Sequence, residues 1–264
     1  NGTKMLVSDE LMLDSVIQLL HGSKDGMPEP FEFVKILTYL DKSDSPIVKE
    51  NIMMVELLFY NYIRHDVNLR HFQLFYGILH NPSTMLELIK LAWLPDNEQA
   101  KEIRKNEFAK NKNLSSIAKI ALEILHGLEA QPCENNNGVV NGQDLKKYAK
   151  ELLETAKSEY LERPAMYVIG KLLGNINLGE DYPPPYLGEI LEELDKDEID
   201  DEYRRQLFNR HGFTCRAYNE GGTIERKREK KFLSYAEKTR FTYDRITIVF
   251  EKLASEYHHM GDRE

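Results

Sequence analysis

The spacing of apolar residues constrains this chain most, because along most of its length it follows the period of an α-helix. Leu11, Leu13, Val16, Ile17, Leu19 and Leu20 follow an acidic start at Ser8-Asp9-Glu10, and Phe31, Val34, Leu37 and Leu40 then recur every three residues. Strict alternation of apolar and polar residues, the pattern of a half-buried strand, does not persist outside the loops. The sequence therefore predicts an all-α fold of about a dozen helices, stacked antiparallel as an irregular solenoid-like array or a bundle.

Segments rich in Asn, Gly and Pro separate the helices, and the best internal boundary among them covers residues 131–142. Its length suits a connection between two packed groups of helices. We expect an N-terminal helical subdomain at 1–130 and a C-terminal helical subdomain at 143–264, joined by this loop; one continuous domain is the alternative. No repeat of roughly 33–47 residues can be aligned, so the common helical-repeat families are not supported.

The composition is that of a globular protein, with 41% hydrophobic and 30% charged residues in a chain of 264. The longest apolar runs, such as 52–58, fall far short of a membrane span, and the first residues lack the pattern of a signal peptide. Cys133 and Cys215 lie far apart and belong to no CxxC pair, which disfavours a disulfide or a metal site. We therefore expect a cytoplasmic protein that does not bind a membrane.

Charge is unevenly distributed along the chain, whose net charge is −9. Residues 201–264 hold 14 Lys and Arg against 11 Asp and Glu, whereas the run 189–202 holds nine carboxylates and only Lys196 against them. Such a density of carboxylates could bind Ca²⁺, but the spacing lacks the glycine and terminal glutamate of an EF-hand loop. We interpret this acidic run, 189–202, as a solvated face that the adjacent basic segment neutralises.

The basic segment, 204–231, is the most unusual stretch, with nine Lys and Arg against three Glu. Arginine forks match the geometry of phosphate and carboxylate groups, and two glycines before a helix resemble an anion site at the positive end of the helix dipole. The candidate binding residues are Arg205, Arg210, His211, Arg216, Gly221, Gly222, Glu225 and Arg226. A structural interpretation competes with binding: the glycines would make a sharp turn, Glu225 would cap the helix, and the arginines would pair with the acidic run.

No signature of catalysis is complete in this sequence. The phosphate loop GxxxxGK[ST] and the motifs HExxH, GxSxG and GxGxxG are all absent, so no catalytic residue, metal or cofactor is predicted. Two short patterns, Arg64…His71 and Arg205…His211, resemble the Arg–His motif of the RNA-cleaving HEPN nucleases. That motif would place a histidine for acid–base chemistry and an arginine against the phosphate charge, but it is short enough to occur by chance.

Five longer motifs occur together in the second half of the chain. They are 145–156, Ile169-Gly170-Lys171-Leu172-Leu173, Tyr182-Pro183-Pro184, Asn209-Arg210-His211-Gly212 with Arg216, and Gly221-Gly222 with Glu225-Arg226. With 79–96 and 121–132, they resemble the C-terminal helical region of large multidomain bacterial proteins of unassigned function, loosely associated with NTPase-bearing and defence-type polypeptides. The resemblance covers most of residues 50–264, although the family usually has an Arg-Gly pair where this chain reads Arg210-His211-Gly212. It implies an appended module that scaffolds or recognises another component, and it transfers no catalytic residue.

Two functions from different classes follow. The favoured one is a non-catalytic interaction or scaffold module of a larger bacterial protein or complex, which docks a protein partner or a neighbouring domain through the basic segment. The alternative is a nucleic-acid-binding or HEPN-like RNA-cleaving helical domain that uses the same segment. An acidic chain repels nucleic acid at long range, but a local basic face can still bind it, and such binding weakens with salt.

Overall fold

Helices form nearly all of the regular structure of this protein. The computed structural model describes residues 8–21, 30–64, 72–135, 138–210 and 222–263. Within these ranges lie fourteen helices, and the β-type pairing found there is one isolated bridge between Glu134 and Val140. The predicted all-α class with about a dozen helices is confirmed. No helix in the described part of the chain is long and apolar enough to cross a membrane.

The chain divides into two compact units, residues 1–94 with 98–126 and residues 95–97 with 127–264. The helices of the first unit are α1 (Asp9–His21), α2 (Pro30–Leu40), α3 (Pro46–Leu58), α4 (Tyr60–Ile63), α5 (Gln73–His80), α6 (Pro82–Ala92), α7 (Glu98–Lys110) and α8 (Lys112–Gly127). Those of the second unit are α9 (Gly142–Ser158), α10 (Glu162–Gly174), α11 (Pro185–Leu194), α12 (Asp197–Asn209), α13 (Thr223–Thr239) and α14 (Asp244–Asp262). The predicted linker 131–142 lies within the second unit, and the predicted division into subdomains stays a prediction.

The first unit buries a carboxyl group at the start of a helix. Glu56 of α3 is fully buried and accepts hydrogen bonds from the backbone N–H of Leu74 at 2.7 Å and of Gln73 at 3.3 Å. These amides open α5, where the first N–H groups have no partner within the helix itself. Burial raises the pKa of Glu56 to about 8, although the two hydrogen bonds oppose the rise.

The core of the second unit contains a cluster of aromatic rings between α13 and α14. Phe232 and Tyr235 of α13 lie against Phe250 and Tyr257 of α14, and all four side chains are buried. The rings of Phe232 and Tyr257 are nearly parallel, with centroids 5.8 Å apart. Because aromatic side chains bury more apolar area than other residues, this cluster is a major source of the stability of the α13–α14 hairpin.

Two glycines of α10 allow α12 to pack closely against it. A Cβ on Gly170 would lie 2.6 Å from the Cβ of Glu202, and a Cβ on Gly174 would lie 2.5 Å from the Cβ of Gln206. Neither distance leaves room for a methyl group in a close-packed interior, so the glycines set the spacing of these two helices. Helix α12 also contacts α14, and it therefore lies between α10 and α14.

Candidate functional site: a charged groove in the second unit

Five of the eight candidate binding residues lie in the described part of the chain, in α12 and at the start of α13. His211, Arg216 and Gly221 lie outside the described residues. The described five are Arg205, Arg210, Gly222, Glu225 and Arg226. They take part in three separate sets of contacts: the end of α10, the junction of α13 with α14, and an open groove.

Arg210 is bound to the end of α10. Its Nη1 donates hydrogen bonds to the carbonyl oxygens of Gly174 at 3.1 Å and Ile176 at 2.8 Å. The last carbonyls of a helix have no partner within the helix, and a cation there is also favoured by the helix dipole. Arg210 therefore serves as a cap for α10, which links the end of α12 to the helix on which it packs.

Gly222 makes the sharp turn that the structural interpretation expects before α13. Its φ is +68°, and a Cβ there would lie 2.6 Å from the carbonyl oxygen of Gly261 in α14. Both the positive φ and the close approach require glycine. Glu225, in the first turn of α13, is 1% exposed and is therefore placed to hold this junction, not to meet a ligand from solvent.

Arg226 joins the start of α13 to the end of α14. Its Nη1 lies 3.2 Å from a carboxylate oxygen of Glu229, and its Nη2 donates to Asp262. The hydrogen bond from Arg226 lowers the pKa of Asp262. The Nδ1 atom of His258 lies 2.9 Å from Glu229, so the same carboxylate is shared with the imidazole. The arginine pairs with carboxylates, as the structural interpretation expects, but they belong to α13 and α14 and not to the acidic run.

Arg205 lies on the wall of a groove of about 900 Å³ that opens between α10, α12 and α14. Helix α12 supplies the longest part of this wall because residues three or four apart share one face of a helix. The lining residues are Arg163 and Tyr167 of α10, Glu198, Asp201, Glu202, Arg204, Arg205 and Phe208 of α12, and Glu256, His259, Met260 and Arg263 at the end of α14.

Ion pairs hold several of the charges in the groove wall. Arg205 pairs with Glu202, and its guanidinium carbon lies 5.5 Å from the ring centroid of Tyr167. Arg204 pairs with Glu256 and so connects α12 to α14. The side chain of Glu202 is only 7% exposed, and a carboxylate can be buried to this extent because a cation compensates its charge.

Two arginines at the groove have no such partner among the described residues. Arg163, in the first turn of α10, and Arg263, just after α14, are exposed and form no ion pair within the described ranges. The groove also presents the half-buried side chains of Tyr167, Phe208 and Met260. This combination of apolar surface and unpaired guanidinium groups suits a ligand that carries both anionic groups and an apolar group.

The acidic run is neutralised from two directions. Arg204 and Arg205 of the basic segment reach its last two carboxylates within α12, as the sequence suggests. Arg245 of α14, which the sequence analysis missed, lies within 2.7 Å of carboxylate oxygens of three further members, Asp195, Asp197 and Asp200. Burial raises the pKa of Asp200 to about 6, and the positive charge of Arg245 opposes the rise.

The sequence raises metal binding and RNA cleavage as possible chemistries. No group of three or more His, Cys, Asp or Glu side chains among the described residues could hold a metal ion. The histidines of the two HEPN-like patterns, His71 and His211, lie outside the described residues. Both arginines are engaged by carboxylates: Arg64 lies 3.5 Å from Glu123, and Arg205 has its pair in the groove wall.

Comparison with known proteins does not identify a function for this groove. No family model, no curated protein and no solved structure matches the chain. The resemblance to the C-terminal helical region of large bacterial proteins therefore stays a prediction.

Several groove residues were missed by the sequence analysis, namely Arg163, Tyr167, Met260 and Arg263. They lie on α10 and at the end of α14, which are far apart in sequence, and no local motif joins them. One signal was present in the sequence, because Glu198, Glu202 and Arg205 recur at the spacing of one helix face. That signal identifies a charged side of α12 but not the two helices that complete the groove.

Proposed function

We propose that the second unit is a non-catalytic protein-interaction module whose groove binds a short acidic segment of a partner protein or neighbouring domain. The observation that carries this proposal is the presence of unpaired arginines beside apolar surface in one open groove. The bound segment would supply carboxylates to Arg163 and Arg263 and bury a bulky apolar side chain against Tyr167 and Met260. Charged groups would then set the orientation of the segment, and the apolar contact would supply much of the affinity.

The carboxylates of the wall favour a peptide over a nucleic acid in this groove. Glu198, Asp201, Glu202 and Glu256 equal the lining arginines in number, so the wall has no net positive charge. A nucleic acid carries a phosphate at every nucleotide and would meet these carboxylates as well as the arginines. A peptide, in contrast, can carry acidic residues at the positions that face the unpaired arginines and neutral residues at the positions that face the carboxylates.

The size of the groove supports a short segment as the ligand. A volume of about 900 Å³ lies within the range of pockets that enclose a ligand of limited size. A segment confined to such a groove is expected to bind with a Kd on the order of micromolar. The resemblance to appended bacterial modules supports the same proposal, in which the groove would recognise another part of a larger polypeptide or complex.

Selection of peptides displayed on phage against the full chain tests the proposal. We expect peptides rich in Asp and Glu that carry an aromatic residue or leucine. Their synthetic copies should lose roughly tenfold or more in affinity for the variant Arg163→Glu/Arg263→Glu, because like charges then face each other. Arg240→Glu is the control for a charge change at an exposed arginine away from the groove, and it should leave the affinity unchanged.

Circular dichroism and the melting temperature must show that both variants fold as the wild type does. Peptides that bind the double variant as tightly as the wild type would contradict the proposal. A selection that yields no groove-dependent peptide would contradict it as well.

The RNA-cleaving alternative stays a prediction with a separate test. If the Arg205…His211 pattern were catalytic, the wild type would degrade RNA, and both Arg205→Ala and His211→Ala would abolish this activity. Intact RNA after incubation with the wild type ends that idea, and it leaves the peptide-binding proposal untouched.

A further inference from the structure

The outer side of α13 carries a row of lysines that the groove does not use. Lys227, Lys230, Lys231 and Lys238 are all exposed, and with the half-buried Ser234 they follow the three- and four-residue spacing of one helix face. We call these four lysines the lysine face. The opposite side of α13 is buried in the hairpin with α14, through Glu225, Phe232, Tyr235, Ala236 and Thr239.

The lysines of the lysine face are free of ion pairs with the described residues. None of the four lysines forms an ion pair with a carboxylate in the described part of the chain. The Nζ atom of Lys238 donates to the backbone carbonyl of Asp181, and Lys231 lies 5.5 Å from the ring centroid of Tyr235. Both contacts leave the positive charges unneutralised, because a carbonyl and a ring bear no formal charge.

Two aromatic side chains lie near the carboxyl end of α13. Phe241, two residues after the end of α13, is 94% exposed, the highest value among the large hydrophobic side chains of the described residues. Tyr182 is 38% exposed, and its hydroxyl donates to the carbonyl oxygen of Lys238 at 3.4 Å. Arg240 is also exposed at this end. An exposed aromatic ring close to the end of a helix that carries a row of cations is a typical feature of surfaces on which bases stack.

The dimensions fit a single strand better than a globular acidic partner. With a rise of 1.5 Å per residue, the lysine face is about 16 Å long, enough for a few successive nucleotides. Single-strand binding surfaces combine cations that follow the backbone with exposed rings that take up bases. The chain as a whole has a net charge of −9, so this binding would depend on local contacts and weaken steeply with salt.

We propose that the lysine face binds the phosphate backbone of a single-stranded nucleic acid and that Phe241 stacks against one of its bases. This site is separate from the groove, and its ligand is of a different class. The contacts are to phosphates and to the face of a base, so little sequence preference is expected.

Fluorescence anisotropy with a labelled oligo(dT) and a labelled oligo(U), measured over a series of salt concentrations, tests this site. For four lysines, the logarithm of the association constant should fall with the logarithm of the salt concentration with a slope of about −2 to −3. The variant Lys227→Gln/Lys230→Gln/Lys231→Gln should bind at least roughly tenfold more weakly. Its slope should be shallower, between about −1 and zero. Phe241→Ala should weaken binding by about fivefold or more and leave the slope unchanged, because stacking releases no counterions.

A matched triple variant on other exposed lysines separates a local site from overall charge. Lys105→Gln/Lys110→Gln/Lys119→Gln removes the same charge from α7 and α8, and it should bind as the wild type does. Equal losses in the two triple variants would overturn the proposal, and so would the absence of binding at low salt. Cosedimentation with phosphatidylserine vesicles without binding to either oligonucleotide would also overturn it, because the surface would then be membrane-directed. The groove variant Arg163→Glu/Arg263→Glu keeps the lysine face intact, so failure of the peptide-binding proposal is scored independently.

Discussion

Four arginines of the second unit differ in their contacts from the lysine face of α13. Arg204, Arg210, Arg226 and Arg245 each contact a carboxylate or a helix-end carbonyl, whereas the four exposed lysines of the lysine face form no ion pair in the described ranges. The planar guanidinium can bind several acceptors with fixed geometry, while the ammonium group is compact and strongly hydrated. The formal charge of the basic segment is therefore larger than the positive charge that is available to a ligand. Most of the available charge belongs to the lysines.

Arg245 offers the strongest test of this comparison. Its side chain is 17% exposed and faces three carboxylates, so Arg245→Met leaves Asp200 without its cation in a largely buried position. We expect the free energy of unfolding to fall by about 2 kcal/mol, less than for a fully buried pair because the other two carboxylates are exposed. Urea denaturation followed by circular dichroism measures the loss. Arg240→Met, at an exposed arginine without an ion pair in the described ranges, should cost less than about 0.5 kcal/mol. Equal losses of stability in Arg245→Met and Arg240→Met would contradict a stabilising role for the contacts of Arg245.

The pH dependence of the same variant sharpens this test. Burial raises the pKa of Asp200 from its ordinary 3.8 to about 6, so the folded state holds this proton more tightly than the unfolded state. The stability that this group contributes is fully present below pH 3.8 and is lost as the pH rises through about 6. Without Arg245, which opposes the shift, the pKa of Asp200 should rise further. The loss in Arg245→Met should therefore be larger at about pH 8 than at about pH 5, and Arg245→Met/Asp200→Asn should remove that difference.

The helical architecture could be predicted because helix-forming signals are local. Leu13 and Val16, which recur at helical spacing, are each 1% exposed in α1. The same pattern does not identify the edge of the buried face, since Leu11 is 57% exposed. The acidic start before Leu11 was also visible, because capping depends on residues within one turn. The cap that Asn141 forms before α9 is equally local but was not predicted.

The groove could not be predicted because its walls come from distant parts of the chain. Arg205 was a candidate from its local charge, but its stacking on Tyr167 depends on the close packing that Gly170 and Gly174 allow between α10 and α12. Arg210 and Arg226 have the same residue type and lie in the same segment, yet their contacts place them in structural roles. The binding role of the basic segment stays a prediction, and long-range packing decides which contacts each of its arginines makes.

Replacement of Arg210 should give the next largest loss of stability. Arg210→Ala removes two hydrogen bonds at the end of α10 and should lower the free energy of unfolding by about 1–2 kcal/mol. Arg210→Lys keeps the charge but not the fork, so it should restore only part of the loss. Chemical denaturation of these variants beside Asn209→Ala, at the exposed neighbouring position, measures the effect. If Arg210→Ala were no less stable than Asn209→Ala, the cap would have no energetic role.

Replacement of Arg226 should give the smallest change in stability. Its neighbour Lys227 gives the most direct comparison of a paired arginine with a lysine of the lysine face, because the two residues are adjacent in α13. Arg226→Met removes an ion pair that links α13 to α14, so the melting temperature should fall slightly at low salt. This fall should vanish at about 1 M salt, where exposed pairs are screened. Lys227→Met should leave the melting temperature unchanged at both salt concentrations and weaken oligonucleotide binding, which Arg226→Met should not. If both variants lowered the melting temperature, or both weakened oligonucleotide binding, Arg226 and Lys227 would have the same role. The distinction between the paired arginine and the lysine face would then be wrong.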